Sequence, residues 1–225
     1  MNENELLGEI GIAKIIAIIA AIGALGTAAF SLVDATKAFN GGVSNVGLKI
    51  LWAVLNRFKA ALDRALGEGE WRAVVRAHWL NGRSRDQQKA IVKSLIRLGL
   101  DPETAPALAK SAHVSAAALT AVATKLSVGT PLTEVDLNVL GRLDASVEAQ
   151  LDAAFDRAEQ LYRNVARAVA GVVSLGLGLF ATTVMGIEDY SPGILVGLLA
   201  VPLAPIAKDL ASSLQAAATA VKATK

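Results

Sequence analysis

Residues 168–187, AVAGVVSLGLGLFATTVMGI, are twenty consecutive residues without a charge. In a helix that length rises ~30 Å, the thickness of a bilayer's hydrocarbon core. The run therefore reads as a membrane span. Ala170, Ser174, Gly178, Thr182 and Gly186 recur at every fourth position within it. Lipid supplies no hydrophobic force between helices, so a small-residue stripe acts by letting backbones approach. The span carries no ionisable group, which argues against a proton relay, a voltage sensor or a coupled transporter.

The apolar fraction of 53% and mean hydropathy of +0.47 belong mostly to the two ends of the chain, so two further apolar runs must be placed. Residues 15–32, IIAIIAAIGALGTAAFSL, hold no charge and follow an acidic start with Glu3, Glu5 and Glu9 against Lys14. A cleaved signal has a basic start and a shorter apolar stretch, so this run is expected to be a first transmembrane helix, with a removed signal as the alternative. Ala20, Ala24 and Ala28, and separately Gly23, Thr27 and Ser31, give it two small-residue faces. The third run, 193–207, spans only ~22 Å as a helix. It contains a GxxxG at Gly193 and Gly197, and Pro202 and Pro205 are expected to bend or end it. Crossing with a kink is favoured over re-entry. Basic residues flank the expected cytoplasmic ends (Lys37, Lys49, Arg157, Arg163, Arg167, Lys208), whereas the turn at Glu188 and Asp189 carries none. By the positive-inside rule the middle of the chain and the C-terminus are cytoplasmic.

Between the runs the chain has the charge density of a soluble helical protein. Asn40, Gly41 and Gly42 break the first pattern, and Ser44 is positioned to cap a helix over 46–66. Its apolar positions Val46, Ile50, Leu51, Val54, Leu55, Phe58 and Leu62 form a broad face suited to a soluble core, the alternative being a helix on a lipid surface. The next segment, 71–100, holds seven basic residues (Arg72, Arg76, Arg83, Arg85, Lys89, Lys93, Arg97) against one acid, Asp86, with the turn Asn81-Gly82 dividing two helices. Acids dominate residues 101–163, and Glu148, Asp152 and Asp156 fall on one helical stripe. That stripe is expected to face a basic partner, plausibly 72–97, or to be solvated. Thr133 and Asp136 fit a helix N-terminus, and no period-two alternation predicts a strand.

Chemistry finds little purchase. With no cysteine the chain has no disulfide and no thiol nucleophile, and neither His78 nor His113 has a metal-ligand neighbour at HExxH-type spacing. GxSxG, SxxK, phosphate-loop and RNA-binding signatures are absent from the sequence, which disfavours an enzyme and a nucleic-acid partner. No metal or cofactor is expected.

From Ser146 an apolar helical seam leads without a proline into the span. Here Asp152, Phe155, Asp156 and Arg157, followed by Tyr162 and Arg163, resemble the juxtamembrane segment of uncharacterised bacterial multi-pass proteins, whose pattern approximates FDxxMDRxxxxYKR. This chain has DAAFDR in place of FDxxMDR. The resemblance covers about a twentieth of the chain, implies a bacterial inner (cytoplasmic) membrane protein, and brings no activity with it.

The expected architecture is all-α: an integral membrane protein with about three transmembrane helices and a cytoplasmic helical domain. Its parts are an N-terminal transmembrane helix (1–36), the cytoplasmic domain (37–145), a helical stalk (146–167), a transmembrane hairpin (168–207) and a C-terminal amphipathic tail (208–225). The expected function is a non-enzymatic membrane-anchored scaffold, sensor or effector that self-associates as a homo-oligomer through its small-residue faces. The alternative is a channel or a pore-forming toxin or defence protein. The partners are the lipid bilayer, further copies of the chain and a protein docking on the cytoplasmic domain.

Overall fold

The computed structural model describes residues 3–223. Residues 1, 2, 224 and 225, the extremes of the expected N-terminal segment and tail, lie outside the described residues. Among the described residues every regular element is helical: α1 (Glu3–Ala35), α2 (Asn45–Leu55), α3 (Lys59–Leu66), α4 (Glu70–Leu80), α5 (Arg85–Leu98), α6 (Ala105–Ala112), α7 (Ala116–Ser127), α8 (Glu134–Val184) and α9 (Ser191–Ala223). The chain divides into two units, Ser44–Tyr162 and Met1–Val43 with Arg163–Lys225, with α8 contributing to each.

The unit Ser44–Tyr162 is a conventional helical core. Leu51, Leu55, Phe58 and Leu62 turn one face of α2 and α3 inward, and Trp71, Val75, Val92, Ile96, Leu108 and Leu119 meet them. Of the expected stalk, 146–167, residues 146–162 are a wall of this core: Val147, Leu151, Ala154, Phe155 and Ala158 are all buried. Their spacing of three and four residues is the mark of a helix that packs along one side. At Gly99 a Cβ would run into the Ala61 backbone, so the missing side chain lets α5 end against α3.

Local chemistry sets the ends of these helices. Ser84 and Gln87 form a reciprocal capping box on α5, and Ser115 caps α7 by accepting from the Ala118 N–H. Asp63 closes the turn after α3, accepting from the Gly69 N–H at 3.0 Å and from the Trp71 indole N–H at 2.8 Å while pairing with Lys59. Ser44 departs from expectation. A 3-10 turn, Gly42–Ser44, precedes α2, so Ser44 already has helical backbone angles and its hydroxyl makes no cap. A second such turn, Asn56–Phe58, divides the expected single helix 46–66 into α2 and α3.

Two helical stretches, Lys14–Ala38 (most of α1 with the 3-10 turn that follows it) and α8, are long and apolar enough to cross a membrane, and Ser191–Ala207 of α9 is a shorter apolar stretch. The apolar run 168–187 ends as a helix at Val184. Gly186, expected in the packing stripe, instead has φ +66 and lets the Ile187 N–H reach the Thr182 carbonyl at 3.0 Å, closing the helix with a left-handed turn. Helix α9 continues through Pro202 and Pro205 and into the expected tail. Each proline deletes one donor, and the hydrogen-bond ladder on either side carries the helix across.

The start of α8 gives a titration test. The Asp136 carboxylate lies under Lys125 at 2.6 Å and accepts from the Thr133 N–H and hydroxyl, each at 2.7 Å. Lys125 first, then these donors, hold its pKa at about 2, below the ordinary 3.8. A depressed carboxyl stabilises the fold above its unfolded pKa and loses that contribution as pH falls through the folded one. Acid unfolding followed by helical circular dichroism should therefore steepen between pH 3.8 and about 2 in the parent. Asp136→Asn should flatten that slope, and an unchanged slope in the variant would exclude this source.

Candidate functional site

Two constructions stand out, one in each unit. The first is an ionic ladder between α5 and α8. Helical spacing puts Arg85, Lys89, Lys93 and Arg97 on one stripe of α5 and Asp144, Glu148, Asp152 and Asp156 on one stripe of α8, each residue four from the next. The stripes run antiparallel. Arg85 donates to Asp152 Oδ1 at 2.8 Å, to the Asp152 carbonyl at 3.0 Å, and to Asp156. Lys89 bridges Glu148 at 2.8 Å and Asp152 at 2.9 Å, Lys93 takes the other Glu148 oxygen at 2.5 Å, and Arg97 Nε meets Asp144 at 2.9 Å.

The ladder tunes its own members. Glu148, then Asp152, pushes the Lys89 ammonium above its ordinary pKa, and Lys89 retains only 13% of its side-chain exposure. Lys89 and then Lys93 hold Glu148 below the usual carboxylate range, while Lys89 and then Arg85 do so for Asp152 against the opposing effect of burial. All four cations on α5 are thus committed to carboxylates, as one of the two sequence expectations required. A shallow groove of about 300 Å³ beside the ladder is lined by Asp86, Lys89, Ala90, Lys93, Ser94, Arg97 and Glu148, so its cations are already neutralised.

The remaining basic residues are not part of that stripe. Arg72 donates to Asn56 Oδ1 at 2.9 Å and stacks over Trp71, Arg76 is half-buried on α4, and Arg83 is exposed before α5. Of the juxtamembrane set, Asp152 and Asp156 belong to the ladder and Arg157 is exposed. Phe155 is buried beside Trp79, with ring centroids 6.5 Å apart, and Tyr162 meets the same indole edge-on at 6.4 Å. Trp79, expected from sequence with Trp71 to stack or to sit at an interface, instead joins three helices. Its N–H donates to the Ser44 carbonyl at 3.0 Å, and a Cβ on Gly47 would sit 2.5 Å from its ring. No spacing rule joins positions 35 residues apart, so only the folded chain reveals this junction of α2, α4 and α8.

The second construction is the helix packing of the other unit. Ala170, Ser174, Gly178 and Thr182 are buried on α8, and Gly193, Gly197 and Ala200 on α9. Gly178 and Gly193 meet backbone to backbone, since a Cβ on Gly193 would lie 2.6 Å from the Gly178 carbonyl oxygen. Ser174 donates its hydroxyl to the Gly197 carbonyl at 2.8 Å. On α1, Gly26 faces the Ala200 backbone, with Ala204 Cβ 2.7 Å from where its own Cβ would be. The stripe is therefore used within one chain, and its burial needs no second copy.

His78 is half-buried on α4, and His113 is exposed with φ +56 as the left-handed residue ending α6. Among the described residues no group of three His, Cys, Asp or Glu is placed to hold a metal ion.

Both constructions make quantitative expectations. Asp152→Asn should cost about 0.5–1 kcal/mol at low ionic strength, the scale of partly exposed pairs, and less in high salt. Chemical denaturation at two salt concentrations measures it, and a salt-independent loss would show that the pairs are not electrostatic in effect. Gly178→Leu forces a side chain into the α8–α9 backbone contact and should lower stability in detergent by about 1–3 kcal/mol. Gly176→Leu, where a Cβ meets nothing within 4 Å, should leave it unchanged. Equal melting of the two variants would contradict the packing. No protein-family model, curated protein or solved structure matches this chain.

Proposed function

We propose that this is a three-span, non-enzymatic membrane protein whose helical module, Ser44–Tyr162, works in the cytoplasm as an interaction or sensing unit. The observation that carries the reading is the distribution of residue size in the other unit. Among the described residues its interior is mostly Ala, Ser, Gly and Thr, with Ile22 and Val33 the larger buried side chains, while Val172, Phe180 and Val184 of α8 and Leu195 and Leu198 of α9 are each more than half exposed. Large apolar side chains outside and small ones within suit a lipid solvent, where close backbone approach drives association. In water the same arrangement would expose a large sticky surface.

On this reading α9 crosses the bilayer and does not re-enter. The stretch Ser191–Ala207 covers ~25 Å as a helix, and α9 continues beyond it as far as Ala223. The backbone contact at Gly178 and Gly193 and the Ser174 bond fill the axis between the two helices, which favours an anchor over a pore built from one copy. The ladder's internal neutralisation favours protein contact over phosphate chemistry for the module.

The absence of cysteine makes the topology directly testable. Single cysteines are placed at Glu188, Val128 and Ser213 and probed in whole cells with a membrane-impermeant maleimide. Glu188→Cys should label from outside, and Val128→Cys and Ser213→Cys only after permeabilisation. Labelling of Ser213→Cys in intact cells would mean re-entry, and release of the protein by alkaline carbonate would overturn membrane integration. Dye-loaded vesicles should stay sealed with the reconstituted protein, and rapid release would favour the pore.

A further inference from the structure

We propose that Phe39 is an interfacial anchor, inserted among lipid headgroups where α1 leaves the bilayer. Phe39 is 79% exposed, more than any other large apolar side chain among the described residues. It does not hang from a loose loop. Thr36 fixes the elbow around it: its hydroxyl donates to the Val33 carbonyl at 2.6 Å and accepts from the Val43 N–H at 3.3 Å, and its carbonyl accepts from the Phe39 N–H at 3.0 Å. The Gly41 N–H reaches the Lys37 carbonyl at 2.9 Å, and Asn40, Gly41 and Gly42 all take positive φ, of 55°, 90° and 45°. Three left-handed residues in succession are a costly backbone, tolerated because two are glycine and one is asparagine. A chain held this firmly presents its one aromatic ring outward.

The position of the elbow selects lipid as the occupant. Ile15, Ile18 and Leu32 on the exposed side of α1 are each at least half exposed, and the first charges after them are Asp34 and Lys37, which pair with each other. The 3-10 turn Thr36–Ala38 carries the chain about 6 Å past the helix end. That is within the headgroup layer, whose depth is roughly 5–8 Å on each side. An aromatic ring at this level leaves water for the acyl boundary while the backbone and Lys37 stay hydrated. The inference rests on the reading of α1 as a span, and the experiment separates the two.

Phe39→Cys and, as a companion, Leu32→Cys are labelled with an environment-sensitive fluorophore in the full chain and reconstituted into phosphatidylcholine–phosphatidylglycerol vesicles. Lipids spin-labelled near the headgroup or near the chain end, and aqueous iodide, serve as quenchers. At position 39 the shallow label should quench about twofold more than the deep one, with iodide largely excluded. At position 32 the deep label should win. Iodide quenching at 39 with lipid quenching at 32 would overturn the anchor and leave the span intact. Failure of lipid to quench either position would overturn both. Protection of 39 from every quencher would mean that protein, such as a second copy, covers it, and would also overturn the proposal.

Discussion

The contact between Gly178 and Gly193 is the interaction on which the apolar unit depends. Dispersion between helices falls off within an ångström, and on the proposed membrane reading, with a medium as apolar as the side chains, only close approach would distinguish protein from lipid. Removing both Cβ atoms brings α8 and α9 into backbone contact, and the rest of the interface is graded from that point: Ser174 reaches the Gly197 carbonyl, and Gly26 brings α1 against Ala200. With small residues filling the α8–α9 contact, Val172, Phe180 and Leu198 stand on the outside of those helices.

The unit Ser44–Tyr162 is built the other way round. Trp71, Phe58 and Phe155 lie inside and ions outside, organised as a ladder. Exposed ion pairs contribute little to stability, but an antiparallel row of matched signs sets which stripe of α5 can lie along α8. Trp79 fixes α8 against α2 and α4 from the apolar side through Ser44, Gly47, Phe155 and Tyr162. The placement of α8 thus rests on two independent chemistries, ionic toward α5 and aromatic toward α2 and α4.

Much of this was legible before the fold was seen, because helical periodicity is a local signal. The runs at 15–32 and 168–187, the divide at Asn81-Gly82, the Thr133–Asp136 cap and the meeting of basic and acidic stripes all follow from spacing within one segment. What escaped was non-local or turned on backbone detail. Ser44 has the right side chain for a cap, but the preceding 3-10 turn takes away the geometry. Gly186 continues the four-residue stripe arithmetically, yet the helix stops before it and uses its left-handed freedom. Pro202 and Pro205 signal an end that α9 does not observe. Whether a small-residue stripe faces its own chain or a neighbour's depends on where α9 folds back, which no single segment encodes.

The sharing of partners in the ladder has a consequence for how the sequence can vary. Lys89 holds Glu148 and Asp152 together, Glu148 is held by Lys89 and Lys93, and Arg85 spans Asp152 and Asp156. Loss of Asp152 or Asp156 leaves each cation it served with another acid in reach, loss of Asp144 affects only the exposed Arg97, and loss of Glu148 takes the carboxylate from the part-buried Lys93. Such a row drifts most easily at its ends, where single steps are buffered, and least at Glu148. The aromatic junction at Trp79, where one ring serves four neighbours, has no such slack.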